Sequence, residues 1–390
     1  MVRIVSSLLA LFLFFTGIIQ PVSAQETTIE LADKAASAIL IERDTGTILY
    51  QKNSHEKLPP ASMTKIMTML LIMEALEEGK LKMSDMVRTS AYAASMGGSQ
   101  IFLEEGEEMS VQDLLKGIAI ASGNDASVAM AERIAGSTDE FVEMMNKKAK
   151  ELGLQNTHFQ NPTGLPASEH YSTAADMATM AKELLKYEHI TGFTGKYEDY
   201  LRKGTDNEFW LVNTNRLVKF YPGVDGLKTG FTNEAKYCLT VTAKKNDMRV
   251  IAVVMGAPTP KERNQQISKM LDYAFMQFET HPMLKRYEQV ATVEISKGEK
   301  KYMDVVTREN ISLLTKKGEQ IDKIKRTIDL PESVPSPVVK GQEIGTITYS
   351  KDGKVLQKSS LIAAEDVNKA SWWQLFKRVL GSFSKKPTEE

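Results

Sequence analysis

One stretch constrains this chain's fold more than any other. Pro59-Pro60 precedes Ser62-Met63-Thr64-Lys65 and then a run dominated by Met, Leu and Ile that ends near Leu76. Proline is favoured in the first helical turn, where its missing N–H would be unpaired anyway, so the spacing predicts a helix over 62–76 with Ser62 near its N-terminus. A helix this apolar has to be buried, and the flanking segments must supply its cover. Upstream, 38–43 and 46–51 flank Asp44-Thr45 and read as strand, tight turn, strand. Downstream, helical periodicity covers roughly 110–120, 126–134, 138–152 and 174–185. Strands return at 226–231, 237–244 and 249–255, the last two joined through Asn246-Asp247. A helix over about 260–278 then places Ile267, Leu271, Ala274 and Phe278 on one face. Strands at both ends with helices between and after imply an α+β domain over 30–282, an antiparallel sheet covered by helices rather than repeated βαβ units.

Beyond His281-Pro282 the pattern changes to short alternating segments at 290–295, 345–349 and 354–356, with Asp352-Gly353 as a hairpin turn. This predicts a small all-β domain over 285–365, which carries no grouped catalytic side chains and reads as a spacer or interaction module of unidentified partner. At the N-terminus, Arg3, the apolar run 8–19 and Pro21-Val22-Ser23-Ala24 form a signal peptide over 1–24, so the mature chain is expected outside the cytoplasm. The single cysteine, Cys238, leaves such a chain no intramolecular disulfide; in Tyr237-Cys238-Leu239-Thr240 it reads as a small buried strand residue. In the tail, 369–390, Trp372, Phe376, Val379, Leu380 and Phe383 form one apolar stripe with Trp373 beside it, flanked by Lys369, Lys377, Arg378, Lys385 and Lys386. The segment is too short and too charged to cross a bilayer, and is expected to lie in the interface at the outer face of the cytoplasmic membrane. A terminal helix docked on the protein's own core is the alternative.

Forty-nine basic against fifty acidic residues give a net charge of −1, so the chain has no basic field of the kind that attracts nucleic acid. His55, His158, His170, His189 and His281 show no metal-ligand spacing and read as surface residues; no metal or cofactor is expected. Chemistry is carried instead by Ser-x-x-Lys at a helix start, where residues three apart share a face and a buried amine can take the hydroxyl proton. The pattern occurs three times, at Ser54/Lys57, Ser62/Lys65 and Ser382/Lys385, but only Ser62 opens a long apolar helix. Ser122-Gly123-Asn124 and Lys228-Thr229-Gly230 follow it, each the single instance of its pattern in the chain.

Ser-x-x-Lys, Ser-x-Asn and Lys-Thr-Gly in this order are the active-site elements of penicillin-binding proteins and serine β-lactamases. With Pro60-Ala61-Ser62-Met63-Thr64-Lys65, Ser122-Gly123-Asn124-Asp125-Ala126, Asn161-Pro162-Thr163-Gly164-Leu165-Pro166 and Val224-Asp225-Gly226-Leu227-Lys228-Thr229-Gly230-Phe231-Thr232, the chain resembles the low-molecular-mass penicillin-binding D-alanyl-D-alanine carboxypeptidases, their sporulation-type branch in particular. The resemblance implies that Ser62 is acylated, Lys65 is its base, Asn124 orients the substrate amide and Ser122 relays a proton to the departing D-alanine. It also implies that Lys228 and Thr229 hold the substrate carboxylate, that Gly230 belongs to their strand, and that the backbone N–H groups of Ser62 and Phe231 form the oxyanion hole. Arg216 and Arg249 are candidates for supporting the carboxylate pocket, and each reads equally as half of a surface ion pair. The implied partners are a peptidoglycan pentapeptide ending in D-Ala-D-Ala and β-lactam antibiotics. A class A β-lactamase would carry Glu-x-x-Leu-Asn, and no Leu-Asn dipeptide occurs here. A D,D-endopeptidase, a transpeptidase and a non-catalytic wall receptor remain the alternatives.

Overall fold

The computed structural model describes residues 29–383, with side chains described as far as Arg378. The expected signal peptide and the last residues of the tail lie outside the described residues. β1 (Ser37–Glu42) and β2 (Ile48–Lys52) form the opening antiparallel hairpin. A single 3-10 turn, Ala61–Thr64, then runs directly into α1 (Lys65–Glu77). The expected helix start therefore has two parts: Ser62 stands in the tighter turn and Lys65 opens the α-helix. α1 is apolar on all sides and buried from Lys65 through Met73. α2 (Asn124–Ala135), α3 (Thr138–Glu151) and α4 (Ala174–Leu184) pack around it. Ser137 and Thr173 cap the last two by accepting from Glu140 N and Asp176 N.

The segment expected as a helix over 110–120 is α-helical only at Val111–Lys116. Gly117–Ala121 widens into a π-helical turn and ends on Ser122, whose φ of 67° is left-handed. The catalytic sheet gathers β1 and β2 with β3 (Val224–Thr232), β4 (Lys236–Lys245) and β5 (Met248–Ala257) in the antiparallel order β2-β1-β5-β4-β3, leaving β3 at an edge. Alternation along β5 sends Ile251, Val253 and Met255 toward α4 and the core around α1, and Val250, Ala252 and Val254 toward α5 (Pro260–Gln277) on the other face. Ile267, Leu271 and Ala274 of α5 are buried there, whereas Phe278 has left the helix and opens the next strand.

That strand, β6 (Phe278–Leu284), runs through the expected domain boundary at 282/285 and pairs with β9 (Ile311–Lys316). The remaining strands are β7 (Gln289–Ser296), β8 (Tyr302–Thr307), β10 (Lys325–Asp329), β11 (Ser333–Pro335), β12 (Glu343–Lys351) and β13 (Lys354–Ala363). They form one sheet in the order β10-β12-β13-β8-β7-β11. Asp352 and Gly353, at φ 50° and 79°, make the β12–β13 hairpin turn. Ser312 Oγ donates to Asp44 Oδ2 at 2.6 Å, and Arg286 donates to the Lys186 carbonyl at 3.1 Å, so this domain is fastened to the catalytic one. α6 (Trp372–Phe383) ends the described chain. Arg378 bonds the carbonyls of Gly298 and Glu299, while Trp372, Trp373 and Phe376 stack on one another and remain 72%, 57% and 39% exposed.

Two glycines let neighbouring backbone close on the Ser62 turn. A Cβ on Gly164, at φ 82°, would lie 1.9 Å from the Ala61 carbonyl oxygen, and one on Gly230 of β3 would lie 2.7 Å from that of Pro60. The 158–171 loop and the sheet edge thus clamp the turn from two sides. Gly164→Ala combines a left-handed backbone with a steric overlap and should cost roughly 2–5 kcal/mol of stability. Thermal or denaturant unfolding of the purified variant measures this; a wild-type midpoint would mean that the loop does not press on the turn.

Candidate active site

The three motifs meet at one place. Lys65 Nζ lies 3.1 Å from Ser62 Oγ, 2.6 Å from Asn124 Oδ1 and 2.7 Å from the Thr163 carbonyl oxygen. Burial pushes the Lys65 pKa well below the ordinary lysine value; the nearby Lys228 cation pushes the same way and Asp125 opposes both. A neutral amine has two N–H donors and one lone pair. Asn124 Oδ1 and Thr163 O can only accept, so they take the two N–H groups and the lone pair is left facing the Ser62 hydroxyl. This is the arrangement a general base needs.

Each neighbour is held by the fold. Asn124 opens α2 after the π-helical turn, and its Nδ2 donates to the Gly97 carbonyl at 2.6 Å, which orients the amide. Asn161 Oδ1 accepts from Thr163 N, Thr163 Oγ1 and Gly164 N, shaping the loop that brings up the Thr163 carbonyl. Asp125, fully buried, accepts from Ile101 N and Leu103 N and ties the 97–107 segment to α2. Ser122 Oγ is buried without a hydrogen-bond partner among the described residues, so it is available to a bound molecule.

On β3, Lys228 is buried with its Nζ 3.1 Å from the Thr229 carbonyl oxygen. Burial, with the Arg263 guanidinium adding to it, lowers its pKa to about 7. Thr229 Oγ1 donates to Thr214 Oγ1 at 2.7 Å. Phe231 is half exposed and packs against Tyr237 with ring centroids 4.4 Å apart.

The two candidate arginines are placed differently. Arg216 is exposed at the head of a short helical turn, Leu217–Phe220, two residues from Thr214. Arg249 is committed elsewhere: it makes a two-pronged ion pair with Asp225, at 2.7 and 2.8 Å, and donates to Thr242 Oγ1 at 2.9 Å. It sits beside Lys244, at the opposite end of the sheet from Phe231, and braces the strand rather than a carboxylate pocket. Sequence reasoning missed Arg263, a buried guanidinium on α5 whose field reaches Lys228, and gave Thr163 no role although its phrase was legible. It also placed His170 at the surface, whereas that ring is buried and bonded to Thr64 Oγ1. Cys238 is buried, its thiol pushed up to about 11 by burial, which removes it as a nucleophile.

The D-alanyl-D-alanine carboxypeptidase family profile matches residues 22–259, and that of the penicillin-binding protein 5 C-terminal domain matches 278–369. The D-alanyl-D-alanine carboxypeptidase DacF of Bacillus subtilis is 62% identical over 99% of this chain and all of its own. Among solved structures, penicillin binding protein 5 from Haemophilus influenzae superposes with a TM-score of 0.66 at 33% identity, covering 86% of this chain and 98% of that one. A Streptomyces DD-transpeptidase variant gives 0.58 at 28% identity, covering 62% and 98%.

If Lys65 is the base and Lys228 the carboxylate's partner, the two lysines are needed in opposite protonation states, so the pH profile of kcat/KM for a carboxylate-bearing substrate should be bell-shaped. Acidification charges Lys65 and removes the base, giving the acid limb. Raising pH through about 7 discharges Lys228 in the free enzyme and weakens its hold on the carboxylate, giving the alkaline limb. Lys65→Arg should abolish turnover, because a guanidinium does not deprotonate at accessible pH. A profile flat from pH 5 to pH 9, or an active Lys65→Arg enzyme, would contradict this assignment.

Proposed function

Because this chain belongs to the D-alanyl-D-alanine carboxypeptidase family and is a serine-type D-Ala-D-Ala carboxypeptidase, we propose that Ser62, Lys65, Ser122, Asn124, Lys228 and Thr229 divide its reaction as follows. The single observation that carries the assignment is the buried Lys65 amine between Asn124 Oδ1 and Thr163 O, with Ser62 Oγ 3.1 Å away. The substrate's C-terminal carboxylate pairs with Lys228 and Thr229 on the free edge of β3, a strand-addition mode that uses backbone groups for affinity. Ser62 Oγ attacks the carbonyl of the penultimate D-alanine as its proton passes to Lys65 Nζ. The oxyanion is received by the N–H groups of Ser62 and Phe231, a contact type in which each donor contributes about 3 kcal/mol. A proton delivered through Ser122 Oγ lets D-alanine leave as a neutral amine, and water then hydrolyses the Ser62 ester. β-Lactams acylate the same serine.

Structural likeness to a DD-transpeptidase supports a second reading in which an amine replaces water as the acceptor for part of the flux. The signal-like N-terminus supports export, and the exposed aromatic cluster of α6 supports attachment to the outer face of the cytoplasmic membrane. Whole-chain likeness to DacF supports membership of the sporulation-type branch.

Ser62→Ala should abolish both covalent penicillin labelling and D-alanine release from a pentapeptide, whereas Ser54→Ala should keep both, since Ser54 Oγ bonds Gln51 and Lys57 lies over the Tyr171 ring. Labelling that survives Ser62→Ala would overturn the site. Truncation before Ala370 should abolish co-sedimentation with anionic liposomes without lowering hydrolysis of a soluble peptide. Equal sedimentation of the full and truncated chains would leave the docked-helix alternative.

A further inference from the structure

We propose that His170 is a positioning residue for acylation: its ring clips Thr64, and through that clip holds the 158–171 loop against the nucleophile's turn. His170 itself lies outside the three motifs. His170 is buried, its Nδ1 accepts the Gln160 backbone N–H at 3.1 Å and its Nε2 lies 2.8 Å from Thr64 Oγ1. A backbone N–H can only donate, so Nδ1 carries no proton; the ring is one tautomer, with Nε2–H donating to Thr64. Burial, with His158 nearby, lowers the His170 pKa to about 4, so this tautomer persists across the neutral range. The ring is held edge-on by Phe159, with centroids 5.9 Å apart.

Thr64 stands between Ser62 and Lys65 within the single turn that aims both side chains. The same loop touches the start of α1 twice more: Thr163 O receives Lys65 Nζ at 2.7 Å, and Pro162 O receives Thr68 Oγ1 at 2.7 Å. Three bonds, from residues 64, 65 and 68, thus attach the loop to the turn and helix, and His170 supplies one of the two that involve neither Ser62 nor Lys65. Releasing it frees the loop to withdraw, moves the Thr163 carbonyl and lets the Lys65 amine rotate its lone pair away from Ser62. Small displacements of positioned groups cost up to about a hundredfold in rate.

This rests on the Ser62–Lys65 assignment, and the experiment separates the two. Acylation by a fluorescent penicillin and D-alanine release are measured for the mature enzyme, His170→Ala, His170→Gln, Thr64→Val, Thr64→Ser and the His170→Ala/Thr64→Val pair, with Ser62→Ala alongside and unfolding midpoints recorded for all. His170→Ala and Thr64→Val should each slow acylation by about ten- to a hundredfold. In both, kcat should fall with KM within about threefold, since a clip acting on the turn leaves the carboxylate contacts in place. Thr64→Ser, which keeps the hydroxyl, and His170→Gln, which can still donate, should recover most of the rate. The pair should be no slower than the worse single variant, because both remove one bond. Wild-type acylation in folded His170→Ala or Thr64→Val would overturn the proposal, as would multiplicative losses in the pair. Labelling in Ser62→Ala would instead overturn the underlying assignment.

Discussion

A buried amine governs this active site. An ammonium at Lys65 could donate to Ser62, Asn124 and Thr163 alike, so the three neighbours do not by themselves decide its state. Burial decides it: α1 is apolar on every side, the cost of an unpaired buried charge is several kcal/mol, and Lys228 adds a second positive charge nearby. Much of the surrounding architecture can be read as meeting this requirement. The loop with Asn161 supplies a carbonyl acceptor, the π-helical turn sets Asn124 against the amine, and the glycines at 164 and 230 let backbone close on the Ser62 turn.

Lys228 and Arg263 concentrate positive charge behind the edge strand. A binding site with unneutralised buried cations is primed for an anion, and a peptide's C-terminal carboxylate is the anion this reaction brings. On the proposed assignment, the positive field that lowers the Lys65 pKa is also the one that attracts the carboxylate, so substrate binding and base activation draw on one charge distribution. Neither would be obtained from a surface Ser-x-x-Lys such as Ser54/Lys57, where Lys57 is exposed.

The order of strands and helices was legible because hydrophobic periodicity reports directly on burial, and β5, α1 and α5 each bury the faces their patterns predict. The motif residues were legible because their chemistry needs fixed spacings. What escaped was set by backbone geometry and by contacts distant in the chain. Nothing in Gly117–Ala121 announces a π-helical turn, and that turn is what aims Ser122. Arg249 reads in the sequence as a carboxylate-pocket candidate or an ion-pair member, and only the fold, by bringing Asp225 to it across the strands, decides for the pair. His170 looked like a surface residue because its partner, Thr64, lies 106 positions away. The strand that opens the second domain at Phe278 was hidden because the helical apolar spacing continues through that residue.

The protonation state of Lys65 can be observed directly on its own side chain. Enzyme labelled with carbon-13 at the lysine Cε position, with Lys65 assigned by comparison with Lys65→Arg, would be titrated by NMR in the absence of substrate. A base held neutral by burial requires the Lys65 resonance to titrate well below those of the exposed lysines, which titrate near their ordinary value of about 10.4. A Lys65 resonance that moves with the exposed lysines would show a charged amine at working pH and would contradict the account.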